Sequence, residues 1–278
     1  MAMNEQPGKY VEVEPGVELY YEDLGTGDPI IFIPGWTFST ELFTQQMAYF
    51  SKSHRSIVFD PRSHGRSTVT LHGNNYATHG ADLAKLIEAL DLKDVVLVGW
   101  SFGCLAQWEY VKLAGLENLK GMVCIDLSPK CLSVNEDDWT EGPLDEIGGA
   151  YNAFLQSPEG QRDFVAGYAT EVMVQRELSK QELFWIVEQS LKTPYYIAAA
   201  LFASGMFADN MAEAKLVDQS RPLLYIIAEH WSETAVPFTQ KHLPNASIEV
   251  LGGHMMFWEH PEKFNKLVEN FLSTLNST

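Results

Sequence analysis

Four short apolar runs, each closed by a turn signal, govern what this chain can fold into. They are Ile30–Ile33 before Pro34-Gly35, Ser56–Phe59 before Asp60-Pro61, Val95–Gly99, and Gly121–Ile125. The runs are continuous rather than alternating with polar residues, which is the pattern of strands buried on both faces. Between them, Thr40–Phe50, Ala77–Leu90 and Phe102–Leu113 space their apolar residues as amphipathic helices do. The alternation predicts an α/β fold with a mainly parallel sheet flanked by helices. A hairpin of Tyr10–Glu14 and Val17–Glu22 around Pro15-Gly16 is expected to precede it.

The pattern breaks after the fourth run. From about Ser128 to Gln219 the chain reads as helical, with segments such as Lys180–Leu191 and Pro194–Phe207, and strand–helix alternation resumes at Pro222–Ile227, Ser247–Leu251 and Pro261–Leu275. The economical division is a core of residues 1–128 and 220–278 with a helical cap of 129–219 inserted into it. A chain of 278 residues suits one large domain carrying such an insertion.

Charge narrows the partners. With 19 Lys+Arg against 37 Asp+Glu the formal charge is −18, which disfavours nucleic acid and anionic membrane surfaces alike. Three cysteines, Cys104, Cys124 and Cys131, make an odd count without framework spacing, so buried free thiols are expected. The start, Met-Ala-Met-Asn-Glu-Gln-Pro, carries neither a basic nor an apolar leader region, and a cytoplasmic location is the expectation.

The most informative segment is Gly99-Trp100-Ser101-Phe102-Gly103. It fits G-x-S-x-G directly between an expected strand and an expected helix. In that context the two glycines permit a sharp turn that presents Ser101 at the carboxyl edge of the sheet. The helix that follows points its amides and positive dipole end toward the same place. A serine hydroxyl needs a base to take its proton. Of eight histidines, His254 follows a late strand through Gly252-Gly253, and the others lie on helices, in loops or beside charge runs.

Together these segments resemble the α/β-hydrolase superfamily over nearly the whole chain, from about Val11 to Leu275. Pro34-Gly35-Trp36 stands where relatives carry His-Gly-x, and Asp60-Pro61-Arg62-Ser63-His64-Gly65-Arg66-Ser67 is similar to their D-x-x-G-x-G-x-S stretch. Gly252-Gly253-His254 looks like the loop that carries the catalytic histidine. The resemblance implies Ser101 as nucleophile and His254 as base. The backbone amides of Trp36 and Phe102 are the implied oxyanion hole.

The acid departs from the commonest pattern. Relatives usually carry aspartate in a G-x-x-D loop, but here the matching stretch is Ala228-Glu229-His230-Trp231, with Trp231 in the expected place. Some branches place the acid after the strand that follows the nucleophile helix. Cys124-Ile125-Asp126-Leu127-Ser128-Pro129-Lys130 is similar to that stretch, and an aspartate closing an apolar strand needs a partner to be buried. Asp126 is the expected acid, with Glu233 and Glu229 as alternatives.

The implied activity is hydrolysis of small or medium apolar carboxylic esters, or lactones, through an acyl-enzyme. The implied partner is a small-molecule ester, a homo-oligomer is compatible with the chain, and no cofactor or metal is implied. The alternative is a cofactor-independent dioxygenase of the same fold acting on a hydroxyquinolone-type heteroaromatic. Those relatives place histidines after Pro-Gly-Trp and after the elbow serine, where this chain has Thr37-Phe38-Ser39 and Phe102.

Overall fold

A computed structural model of the protein describes residues 8–132, 135 and 138–275. The N-terminal stretch read above for a leader, and the outermost ends of the core division, lie outside the described residues.

Eight strands form one sheet in the order β1-β2-β4-β3-β5-β6-β7-β8. They are β1 (Lys9–Glu14), β2 (Val17–Leu24), β3 (Pro29–Ile33), β4 (Arg55–Phe59), β5 (Val95–Trp100), β6 (Leu119–Ile125), β7 (Leu223–Ile227) and β8 (Ser247–Val250). The β1–β2 hairpin joins the sheet antiparallel through β2–β4, and every pairing from β4 to β8 is parallel. Register runs straight across the centre, with Ile31 opposite Leu97, Gly99 opposite Cys124 and Cys124 opposite Tyr225.

Period-two geometry explains the unbroken apolar runs. Ile31, Ile33, Leu97 and Met122 face one core, and Ile30, Phe32, Val96 and Val123 face the other. Helix α1 (Thr44–Phe50) lies on the second face, whereas α2 (Tyr76–Ala89) and α3 (Gly103–Ala114) cover the first. Between β6 and β7 come α4 (Leu144–Phe154), α5 (Pro158–Tyr168), α6 (Lys180–Ser190), α7 (Tyr195–Met206) and α8 (Met211–Ser220). A single π-helical turn, Ala169–Met173, extends α5. Helix α8 packs on α3, burying Ala214 and Val217 in the first core. Helix α9 (Ser232–His242) follows β7, then come α10 (Met256–Glu259) and α11 (Pro261–Leu275). Helix α11 buries Phe264, Val268, Phe271 and Leu272 in the second core, one stripe of a 3.6-residue period.

One expectation needs correction, and one element is hidden in the sequence. Glu233 sits in the first turn of α9, an element masked by Pro237 inside it. Thr40–Phe50 is not one helix: it begins as a 3-10 turn, Thr40–Phe43. The three cysteines are free and buried. Among the described residues no helix is long and apolar enough to cross a membrane.

Candidate active site

Ser101, Asp126, Trp36 and His254 all lie just beyond the carboxyl ends of strands, on β5, β6, β3 and β8 respectively. Side chains from separate strands converge on this edge of an open α/β sheet. Ser101 has φ 51°, a left-handed conformation that L-residues rarely adopt. It is held there by its amide, which donates to Ile125 O at 2.9 Å. The tight approach of α3 to β3 requires glycine at 103, since a Cβ there would meet Ile33 O at 2.4 Å. Gly35 is required for the same kind of reason: a Cβ would lie 3.0 Å from Ser101 Cβ. That contact sets the loop after β3 directly beside the serine.

Asp126 is also left-handed, at φ 55°, and its amide donates to Ile226 O at 2.9 Å. Its side chain is 1% exposed and both oxygens are engaged. Oδ1 accepts from Ala228 N at 2.7 Å, and Oδ2 lies 2.6 Å from His254 Nδ1. A carboxylate only accepts, so Nδ1 carries the hydrogen and Nε2 is left with its lone pair. His254 is 3% exposed, and its ring packs 5.3 Å from that of Trp100. The Trp100 indole also donates to His254 O at 2.8 Å, tying the histidine loop to the residue before Ser101.

Glu229 and Glu233 are not beside the ring nitrogen. Glu229 instead holds the loop that carries His254: its amide donates to Gly252 O at 2.8 Å, and its Oε1 accepts from Gly252 N at 3.3 Å. Glu233 is exposed. Trp231 is half-buried and packs against both cores.

Among the described residues the amides of Trp36 and Phe102 have no hydrogen-bond partner. Both flank Ser101, one across the Gly35 contact and one by sequence. Two unpaired backbone donors beside a serine hydroxyl have the arrangement that an oxyanion hole requires.

Aromatic rings extend from this centre. Tyr168 packs 5.6 Å from His254, Phe164 stacks on Tyr168 at 6.0 Å, and Trp36 meets Phe164 at 5.6 Å and Phe202 at 5.9 Å. One carboxyl stands among them. Burial pushes Glu141 up to about 7, with His254 opposing the rise and Asp126 adding to it. Among the described residues its side chain has no hydrogen-bond partner. Sequence reasoning did not single out Glu141, because only folding brings residue 141 to the ends of β6 and β8.

The motif Asp60–Ser67 builds the wall behind the loop after β3. Asp60 accepts from Thr40 N and Arg66 N, both at 2.7 Å, and Ser67 Oγ donates to Asp60 O at 2.6 Å. His64 and His79 are buried here, 5.6 Å apart ring to ring.

With this geometry in view, comparison with known proteins is informative. The sequence profile of the alpha/beta hydrolase fold matches residues 28–261. A non-heme chloroperoxidase of Kitasatospora aureofaciens is 35% identical over 271 residues, covering 93% of this chain and 97% of that protein. Among solved structures, a bromoperoxidase from Bacillus anthracis superposes with a TM-score of 0.86 at 21% identity, over 96% of this chain and 100% of its own. An esterase from Exiguobacterium antarcticum superposes at 0.84 and 20% identity, again over 96% and 100%.

Proposed function

Because the chain belongs to the α/β-hydrolase fold family, we propose that it is a serine hydrolase of small or medium apolar carboxylic esters or lactones. The observation that carries this reading is the buried His254–Asp126 pair at 2.6 Å, at the sheet edge that presents Ser101. Ser101 attacks the carbonyl as His254 Nε2 takes its proton, and Asp126 steadies the imidazolium. The Trp36 and Phe102 amides receive the oxyanion. Collapse expels the alcohol with the proton from His254, and water, activated by the same ring, releases the acid. The segment 129–219 acts as the cap, and the rings of Phe164, Tyr168 and Phe202 suit an apolar acyl group.

A second reading is favoured by the 35% identical chloroperoxidase. The same acyl-enzyme attacked by hydrogen peroxide yields a peracid and free Ser101, and the peracid oxidises chloride to hypochlorous acid as it returns to the carboxylic acid. The dioxygenase alternative has less support, since Thr37-Phe38-Ser39 and Phe102 stand in the places where its relatives carry histidines.

A fluorophosphonate probe with Ser101→Ala as control tests the main reading. Labelling and hydrolysis of a p-nitrophenyl ester should both vanish in the variant, with kcat down by about 10⁴-fold or more. Turnover within tenfold of the parent would refute it. Chlorination that requires both peroxide and a carboxylic acid would support the second reading. Oxygen uptake with a hydroxyquinolone would support the third.

A further inference from the structure

Gly35–Phe38 is a tight turn closed by Phe38 N donating to Gly35 O at 3.2 Å. Its third residue, Thr37, has φ 64°. That position ordinarily takes glycine or asparagine, and a β-branched residue is among the least suited to it. Rotating the Trp36–Thr37 peptide by half a turn would return Thr37 to negative φ while keeping the turn. Inside the loop Thr37 Oγ1 donates to Trp36 O at 2.6 Å, and the other contacts that select the observed state come from outside it.

Two sets of contacts select it. From the core, His64 Nε2 accepts from Thr37 N at 3.1 Å while Nδ1 donates to Arg62 O at 2.8 Å. The backbone partners dictate one donor and one acceptor, so the ring is neutral. From the segment between β6 and β7, Ser190 Oγ and Thr37 Oγ1 share a hydrogen bond of 2.6 Å, and Thr193 Oγ1 donates to Thr37 O at 3.4 Å. The Trp36 indole donates to Ala198 O at 2.8 Å. Buried Gln161 in turn donates to Ser190 O and Thr193 O, both at 3.2 Å.

We propose that His64 and Ser190 are positioning residues that clamp Thr37 from opposite sides, and so fix the turn whose preceding peptide, Gly35–Trp36, carries the amide that meets the oxyanion. This rests on the serine-hydrolase reading above. A flipped peptide would turn the Trp36 carbonyl toward Nε2, acceptor against acceptor, which the neutral ring forbids. A protonated ring would instead donate to that carbonyl, so acid would favour the flipped loop. The groups facing His64 are His79 at 5.6 Å and Arg62, whose guanidinium is engaged by Asp82 and Glu14. Burial lowers His64 to about 4, keeping the acceptor in place at neutral pH.

The test compares His64→Leu, His64→Gln and Ser190→Ala with the parent in ester hydrolysis and in affinity for a trifluoromethyl ketone, a mimic of the tetrahedral intermediate. His64→Leu should lower kcat by about 10²–10³-fold, the loss typical of one oxyanion donor, with KM within about threefold. Affinity for the ketone should fall in parallel. His64→Gln restores an acceptor for Thr37 N and should recover at least tenfold of that loss, and Ser190→Ala should lose about tenfold in kcat. Should His64→Leu not fold, the glutamine and alanine variants carry the test. Folded variants with parental kcat and ketone affinity would overturn the clamp. A parent that neither hydrolyses esters nor is labelled at Ser101 would overturn the underlying reading instead.

Discussion

Replacing Asp126 by asparagine isolates the tautomer of His254 from every other feature of the site. The substitution is nearly isosteric, and the residue is 1% exposed, so no water can rearrange to help. Ala228 N donates to Oδ1 at 2.7 Å, which forces the amide oxygen of asparagine to remain there; the opposite flip would set two donors face to face. The new NH₂ must then point at Nδ1, 2.6 Å away in the parent. Nδ1 becomes the acceptor, the hydrogen moves to Nε2, and no lone pair remains to take the Ser101 proton. Restoring the useful tautomer leaves a buried donor clash of about 1–3 kcal/mol. Losing the carboxylate's hold on the imidazolium adds about 2–3 kcal/mol for a charged hydrogen bond. The total, about 3–6 kcal/mol, corresponds to roughly 10²–10⁴ in kcat. Because both hydrogen bonds survive in the inactive tautomer, stability should change by less than about 1 kcal/mol. The assay is steady-state ester hydrolysis beside a thermal melt. A loss under tenfold, or a loss matched by collapse of the melt, would refute the argument. Glu229→Gln and Glu233→Gln should each cost less than about tenfold, as neither reaches the ring.

Gly103→Ala should destabilise the fold by about 1–3 kcal/mol, because the added methyl meets the carbonyls of Ile33 and Pro34; chemical denaturation measures it. Burial lowers His64 from 6.5 to about 4, so the unfolded chain binds more protons between those values. Its contribution is complete above 6.5 and disappears as pH falls to about 4, an acid loss of about 3 kcal/mol; melts at stepped pH should show this slope shrinking in His64→Gln. Glu141 has the opposite sign: raised from 4.5 to about 7, it favours the folded state at low pH and loses that advantage as pH climbs through 7. Glu141→Gln should therefore gain about 2–3 kcal/mol at pH 8 relative to pH 4, and an unchanged pH dependence would show the carboxyl to be solvated.

Much of this was legible in residue order, for identifiable reasons. Buried parallel strands must be continuously apolar, so β3 to β7 announced themselves, and Gly99–Gly103 marked the elbow because a strand-to-helix reversal that tight needs glycine. The sequence also pointed to Asp126, since a carboxylate ending an apolar run demands a partner. What was hidden depends on distance in the chain. Helix α9 was masked by Pro237, whose cost its packing in the first core offsets through Ala235 and Phe238. Nothing local marks Glu141, Ser190 or Val172 as neighbours of the site, because their positions follow from how the helices between β6 and β7 return to the sheet edge. His64 was visible as part of a motif, but its partner, the Thr37 amide, lies 27 residues away.

The contacts divide the support of the site between two parts of the molecule. The sheet itself holds Ser101 and Asp126, whose amides continue the ladder to Ile125 O and Ile226 O. His254 and Trp36 lie on loops beyond the sheet and are secured by the segment between β6 and β7. His254 N donates to Val172 O at 3.2 Å and Met255 N to Met173 O at 2.7 Å, both carbonyls belonging to the π-helical turn after α5. Val172 and Met173 end that turn, and the last carbonyls of a helix have no partner within it, so both are available to accept. The loop of Trp36 is met by Ser190, Thr193 and Ala198 at the junction of α6 and α7. The loops of His254 and Trp36 are thus both fastened to this segment at separate points, while Ser101 and Asp126 are held by the sheet. Changes confined to that segment should then alter kcat in ester hydrolysis through the geometry of His254 and Trp36, as well as through the shape of the pocket they line.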